Sequence, residues 1–150
     1  MRNIIVILII LFSAACISCK KPVVSKIVNI TASSTKKDYT DAYAAVHLFD
    51  GTKSSWCEGV DKAGIGESVT LTYNIEKNFK SLFIANGLSS DYKTKNRIKK
   101  LQVSAGNETL AIELKDTLKV QNILLPKEIS GKKITFKILE IYKGTDTEDN

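Results

Sequence analysis

Short stretches of alternating apolar and polar residues run through this chain, and they limit its fold more than any other feature. Residues 68–73 alternate with a period of two, and residues 100–103, 110–114 and 134–138 repeat the pattern. Such alternation is typical of β-strands with one buried face. No amphipathic segment of roughly 10–15 residues separates these stretches, although a parallel α/β fold needs one for its crossover helices. The pattern therefore predicts an all-β fold.

The residues between these stretches indicate how the strands are connected. Gly106 and Asn107 separate two alternating stretches and predict a β-hairpin. Residues 81–85 are apolar without alternation, which indicates a strand buried on both faces. Only residues 41–49 favour a helical turn. Six or seven short strands at this spacing predict one antiparallel β-sandwich over residues 27–150.

The first nineteen residues have the composition of an export signal. Arg2 carries a positive charge, residues 4–12 are unbroken Ile, Val, Leu and Phe, and small residues follow. Extended to Ile17, the apolar run has 14 residues, fewer than the roughly 20 that cross a bilayer as a helix. We therefore predict a secretory signal peptide over residues 1–19. A short transmembrane anchor is the alternative.

Two cysteines at the end of this signal are candidate lipid-anchor residues. Cys16 follows two alanines and Cys19 follows a serine, and both sites resemble the lipobox of bacterial lipoproteins. A lipid on Cys16 or Cys19 would anchor the chain to a membrane of the bacterial cell envelope, facing the periplasm or the outside, with residues 20–26 as a tether. Plain secretion is the alternative. Cys57 can pair with Cys19 only if Cys16 carries the lipid.

Charge and histidine content exclude several classes of function. The net charge is +6, and on an exported protein this balance favours acidic glycans or anionic lipid headgroups over nucleic acid. His47 is the single histidine, and no cysteine pair has metal-ligand spacing to it, so no zinc site is expected. We interpret His47 as structural, because no nucleophile motif accompanies it.

Several motifs in order resemble one family. They are Thr31-Ala32-Ser33-Ser34, Leu48-Phe49-Asp50-Gly51, Ser54-Ser55-Trp56, Trp56-Cys57-Glu58-Gly59-Val60-Asp61, Asn86-Gly87, residues 95–100 and Tyr142-Lys143-Gly144-Thr145. Over residues 27–149 the chain resembles the discoidin (coagulation-factor type C) superfamily, and specifically its NADase-type glycan-binding branch. The resemblance implies a jelly-roll β-sandwich with binding loops at one end. It also implies noncatalytic ligand binding at the cell envelope, with a glycan as the ligand.

Residue types suited to sugar binding occur in the loops of that fold. An aromatic ring matches the apolar face of a pyranose, and a few polar groups fix its hydroxyls. The candidates are Trp56, Glu58, Asp61, Asn86, Tyr92 and Arg97. For Trp56 the alternative role is a core anchor. For Arg97 it is an ion pair within the protein, with Glu67 as one possible partner.

The sequence also contains residues that could form a glycosidase site or a calcium site. Glu58, Asp61 and Glu67 are close in sequence, as paired glycosidase carboxylates can be, but nothing around them resembles a glycosidase motif. The resemblance leaves Asp50 as a calcium candidate, although relatives supply a further carboxylate from a final strand that has no counterpart before Asn150. We therefore predict no enzyme activity and no cofactor. The alternative function is an envelope lipoprotein that binds another protein or has a structural role.

Overall fold

The computed structural model describes residues 24–37, 40, 41, 43–49, 55–60, 63–87 and 92–145. Its strands are β1 (Ile27–Ala32), β2 (Ser68–Ile84), β3 (Arg97–Ala105), β4 (Glu108–Glu113) and β5 (Gln121–Tyr142), and a 3₁₀ helix covers Ala45–Phe49. All pairs are antiparallel, in the order β1-β2-β5-β3-β4. The all-β prediction is confirmed, and the 3₁₀ helix lies where the sequence favours a helical turn.

Two strands are much longer than the sequence predicts. β2 has 17 residues and β5 has 22. Their pairing register shifts between Thr72 and Lys77, and again between Phe79 and Ser81. Unpaired residues at such bulges make a strand bend without ending it. The two stretches predicted as separate strands at 68–73 and 81–85 are therefore two arms of β2. If β2 and β5 are each counted as two arms, the five strands become seven segments, which agrees with the prediction of six or seven short strands.

The bends allow the sheet to enclose one hydrophobic core. Val69 and Leu71 from the first arm of β2 belong to the buried cluster, and Leu82 from its second arm packs against that cluster. The rings of Tyr73 and Phe79, on either side of the bend, lie 5.7 Å apart between centroids. Since both arms direct apolar side chains at a common core, they form two facing layers, as in a β-sandwich.

The hairpin between β3 and β4 is built as the sequence predicts. Ala105 pairs with Glu108, which leaves Gly106 and Asn107 as a two-residue turn. Gly106 has a φ of 57°, and a Cβ there would stand 2.6 Å from the carbonyl oxygen of Ser130. Glycine is therefore required both for the backbone conformation and for the close approach of β5.

The prediction that residues 81–85 are buried on both faces is wrong. Phe83 is 72% exposed, and Leu124, its diagonal neighbour across the β2–β5 pair, is 78% exposed. The alternate residues Leu82 and Ile84 pack against the core. The second arm of β2 is thus buried on one face, because no described element covers the other.

Several predicted features lie outside the described residues. They are the signal peptide with Cys16 and Cys19, the calcium candidate Asp50, and the site candidate Asp61. The anchor, a Cys19–Cys57 disulfide and the calcium site therefore stay predictions. Within the ranges that the structure describes, no helix has the length and apolar character of a membrane span.

Candidate functional site

Loops from several strand ends meet at one end of the sandwich. The Ser33 amide, just after β1, donates to the Ser68 carbonyl oxygen at 2.9 Å. The Gly66 amide, just before β2, donates to the Ile138 carbonyl oxygen at 2.8 Å. Beyond the end of β5, the Thr145 amide donates to a carbonyl of the loop before β3 at 3.1 Å. These bonds join the loop after β1 to β2, the turn before β2 to β5, and the chain after β5 to the loop before β3.

Trp56 lies in a loop that packs along the loop after β1. Its indole Nε1 donates to the Ser34 carbonyl oxygen at 2.9 Å, and the Lys36 amide donates to the Cys57 carbonyl oxygen at 2.9 Å. A Cβ on Gly59 would stand 2.4 Å from a carbonyl oxygen of the loop after β1, so only glycine fits there. Trp56 is half-buried and packs against the core. It therefore fulfils part of the core-anchor role and keeps exposed surface for a ligand.

Glu67 stabilises the contact between the loop after β1 and the Trp56 loop through two serines. Ser33 and Ser34 donate their hydroxyls to Glu67 Oε2 at 2.5 and 2.6 Å. The Gly59 amide in turn donates to Ser34 Oγ at 3.0 Å. Both hydroxyls lower the pKa of Glu67, because they stabilise its charged form. Glu67 is engaged within these loops and is not the partner of Arg97.

The Glu58 side chain folds over the turn that follows it. Its Oε2 accepts the Val60 amide at 2.9 Å. Gly64, with a φ of 68°, leaves room for this arrangement, since a Cβ there would stand 2.7 Å from Glu58 Cγ. The residue is only half-buried, so its carboxylate can still accept hydrogen bonds from a ligand.

Arg97 forms an ion pair within the protein, and its partner is Asp116. Its Nε and Nη2 donate to the two carboxylate oxygens of Asp116 at 3.0 and 3.1 Å. Its Nη1 donates to the carbonyl oxygens of Lys95 at 2.7 Å and Lys143 at 3.4 Å. These bonds use four of the five N–H donors of a guanidinium. The Arg97 side chain is 4% exposed, so the ion-pair role fits it better than free ligand contact.

Tyr92 completes the network around Asp116. Its hydroxyl donates to Asp116 Oδ1 at 2.6 Å, and its ring centroid lies 5.2 Å from the Arg97 guanidinium carbon. The donors from Arg97 and then Tyr92 hold the pKa of Asp116 far below its usual range. Burial, followed by the bond to Asp116, raises the pKa of the Tyr92 phenol. Sequence patterns do not link Asp116 to Arg97, because the two are brought together only by the return of the chain after β4.

The Asn86 side chain forms hydrogen bonds with the backbone of β3, as the backbone of a neighbouring strand would. Its side-chain nitrogen donates to the Ile98 carbonyl oxygen at 2.7 Å, and its side-chain oxygen accepts the Ile98 amide at 3.0 Å. The residue is 3% exposed. Both polar ends of Asn86 are therefore engaged in holding the chain after β2 against β3.

Four of the predicted site residues line one cavity of about 1320 Å³, namely Trp56, Glu58, Asn86 and Arg97. Tyr92 does not line this cavity, and Asp61 lies outside the described residues. Tyr43, Lys36 and Lys37 also line it, and the sequence did not predict them as site residues. Their place beside Trp56 depends on contacts between loops, which leave no local pattern. In the described ranges no three acidic, cysteine or histidine side chains come together as a metal site would need.

Comparison with protein families gives one match over most of the chain. A family model described as the NAD glycohydrolase translocation F5/8 type C domain matches residues 21–150. No curated protein matches this chain by sequence.

Solved structures share the fold. CpGH89CBM32-5 from Clostridium perfringens, in complex with GalNAc-β-1,3-galactose, superposes with a TM-score of 0.54 at 20% identity, covering 75% of this chain and 84% of that one. CBM32 of AlyQ, in complex with 4,5-unsaturated mannuronic acid, gives 0.54 at 15% identity, covering 80% and 88%. Arabinofuranosyltransferase AftD from Mycobacteria gives 0.61 at 16% identity, covering 78% of this chain but 9% of that protein. The family match and the shared fold together confirm the predicted discoidin-like β-sandwich.

Proposed function

Because this chain belongs to the family of NAD glycohydrolase translocation F5/8 type C domains, we propose that it is a noncatalytic glycan-binding module of the bacterial cell envelope. The observation that carries the proposal is the cavity that extends from the Trp56 loop into the sandwich. Aromatic and charged side chains line it, on the fold of sugar-binding modules. Two structural neighbours were solved with sugars bound, GalNAc-β-1,3-galactose in one and 4,5-unsaturated mannuronic acid in the other.

The proposed sugar contacts lie around Trp56. The exposed part of its ring and the nearby half-buried Tyr43 offer aromatic surface to a pyranose. Glu58 and Lys36 supply an acceptor and a donor for hydroxyls. Arg97 and Asn86, in contrast, stabilise the wall of the cavity, because their polar groups are already bonded within the protein.

The carboxylates of the cavity bear on the paired-carboxylate alternative. Glycoside hydrolysis generally needs two carboxylates on opposite sides of the scissile bond. Among the described residues that line the cavity, Glu58 is the only carboxylate. The paired-carboxylate hypothesis therefore has no support from the described lining.

A glycan array probed with the full chain, followed by calorimetry on the strongest hit, tests the proposal. Replacing Trp56 with Ala should weaken binding about tenfold or more, as loss of a central aromatic contact does. Tyr43→Ala should weaken it as well. Leu124→Ala is the control, since Leu124 is exposed and does not line the cavity. Binding to no glycan would contradict the proposal.

One observation favours the alternative, an envelope lipoprotein that binds another protein. Phe83 and Leu124 are the two most exposed large apolar side chains of the described chain, and both lie on the outer face of the β2–β5 pair. Neighbouring exposed apolar side chains mark protein contacts when they form a large patch. A negative array together with loss of cellular function in Leu124→Ser would favour this alternative, because Leu124 does not line the cavity.

A further inference from the structure

The cavity has an uneven distribution of charge. Its described lining includes five lysines and Arg97 but one carboxylate, that of Glu58. Some of these cations are compensated: Arg97 pairs with Asp116 at 3.0 Å, and Lys80 pairs with Glu128 at 3.2 Å. Lys77 packs over the Tyr73 ring, with Nζ 4.9 Å from the centroid.

Lys36 and Lys37 differ from these three cations. Both are exposed, and no acidic side chain of the described residues lies within ion-pair distance of either. They belong to the loop whose Ser34 carbonyl accepts the indole N–H of Trp56. Their charge therefore lies beside the proposed sugar-binding surface and is not neutralised by a described residue.

The backbone of Lys36 is held at the contact between its loop and the Trp56 loop. Its amide donates to the Cys57 carbonyl oxygen at 2.9 Å, and its Nζ lies 5.9 Å from the Tyr43 ring centroid. The ammonium group thus stands over an aromatic ring at the same loop contact that holds Trp56. A sugar lying against these rings would bring its substituents within reach of the ammonium.

We propose that the ligand of this site is an acidic glycan, whose carboxylate or sulfate group is bound by Lys36 with Lys37 beside it. The inference rests on the proposed glycan-binding function and specifies its ligand class. A neutral sugar offers no charge to the two ammonium groups, whereas an anionic group gains charge-assisted hydrogen bonds. Because both lysines are exposed, salt screens the attraction, so the preference for acidic sugars should decrease as ionic strength rises.

Matched acidic and neutral ligands test the inference on the full chain. The pairs are trigalacturonic acid and its methyl ester, sialyllactose and lactose, and galactose 6-sulfate and galactose. We expect tighter binding of the acidic member in at least one pair. This preference should be smaller in 0.5 M salt, where the Debye length is only about 4 Å. The first two pairs report on a carboxylate and the third on a sulfate.

Charge-matched variants identify the lysines responsible. Lys36→Gln with Lys37→Gln should weaken binding of the acidic ligand about fivefold, as expected for an exposed ion pair. Its neutral counterpart should be affected less, because a glutamine amide can still donate to a hydroxyl. Lys132→Gln with Lys133→Gln removes the same charge from exposed residues of β5 that do not line the cavity. This control should bind like the unmodified chain. Equal melting temperatures would exclude a folding defect.

The possible failures are distinguishable. Glycan binding with no preference for acidic members, or with equal effects in the two double variants, would overturn the acidic-ligand inference and leave the glycan-binding proposal intact. Absence of binding to every glycan on the array and to all three pairs would overturn the proposed function itself.

Discussion

Arg97 retains its charge inside the sandwich because Asp116 meets it with both carboxylate oxygens. Burying an unpaired charge would be costly, and a bidentate pair offsets much of that cost. Tyr92 and Lys93 add a hydroxyl donor at 2.6 Å and an ammonium at 3.3 Å to the same carboxylate. Asp116 therefore joins the loop before β3 to the segment after β4, and its ionisation should affect stability.

Replacing Asp116 with Asn tests this role through pH. The pKa of Asp116 is lower in the folded state than its ordinary value. Its charged form therefore stabilises the fold above about pH 4, and that contribution is lost as pH falls further. At pH 7 the variant should lose about 2 kcal/mol of unfolding free energy, the scale of hydrogen bonds to a charged group. Urea unfolding at pH 7, 4 and 2.5 should show the difference shrinking in acid.

Glu140→Gln is the matched control for that experiment. Lys99 lowers the pKa of Glu140 as well, but both side chains are close to half exposed. Solvent weakens such pairs, so this variant should have nearly unchanged stability at pH 7. An Asp116→Asn variant as stable as the unmodified chain at neutral pH would contradict the assigned role of the network.

Trp56 should contribute to stability as well as to binding. It is half-buried, so Trp56→Ala should cost about 2–3 kcal/mol, below the 3–5 kcal/mol typical of a fully buried ring. Trp56→Phe keeps an aromatic surface and removes the indole N–H that bonds the Ser34 carbonyl. It should cost about 1 kcal/mol. Denaturant unfolding measures both values. A cost below about 0.5 kcal/mol for the alanine variant would mean that the ring has no part in the core.

The sequence identifies residue types at the site better than it identifies their partners. Trp56 and Glu58 are found because their motifs are contiguous. Arg97 is found as a residue able to bind a carboxylate, but its partner Asp116 follows a different strand. Lys36 and Tyr43 are missed for the same reason, since the contact of their loop with the Trp56 loop is tertiary.

At the scale of elements, alternation is a reliable guide where one face of a strand is buried. The first arm of β2 follows it, with Val69, Leu71 and Tyr73 buried in turn. The bends in β2 and β5 cannot be predicted in this way, because a bulge depends on which residues oppose each other across two distant strands. Pro126 lies in the part of β5 without paired partners, where a missing amide costs no ladder bond.

The turn between β3 and β4 gives a prediction at this scale. Gly106→Ala should lower the unfolding free energy by about 1–3 kcal/mol, because a Cβ at positive φ is strained and would meet the Ser130 carbonyl oxygen. Gly66→Ala also adds a Cβ at positive φ, at 96°, but nothing lies within 4 Å of that Cβ, so its loss comes from the backbone alone. The φ of Gly106 is closer to the left-handed region that other residues adopt. A loss in Gly106→Ala that is at least as large as in Gly66→Ala in thermal unfolding would therefore show that the contact with β5 contributes, and a clearly smaller loss would show that it does not.

At the scale of the whole molecule, the proposed anchor would limit where the binding loops can act. Ile27 follows Cys19 by eight positions and Cys16 by eleven, so a fully extended chain spans at most about 29 Å from Cys19 or about 40 Å from Cys16. The domain would therefore stay close to the membrane surface, where envelope glycans are concentrated. Such confinement raises the effective concentration of a ligand, so that a site of low affinity can still be occupied.

Metabolic labelling tests the anchor independently of ligand binding. The full chain, produced in a bacterial host, should incorporate a palmitate analogue and partition into detergent, because a diacylated cysteine adds a large buried hydrocarbon area. The double variant Cys16→Ala, Cys19→Ala should lose the label, and the single variants should identify the cysteine that carries it. Cys57→Ala is the control and should label like the unmodified chain. Label retained in the double variant would contradict the lipoprotein proposal, and the loss of label in Cys57→Ala would place the lipid on a residue of the folded domain.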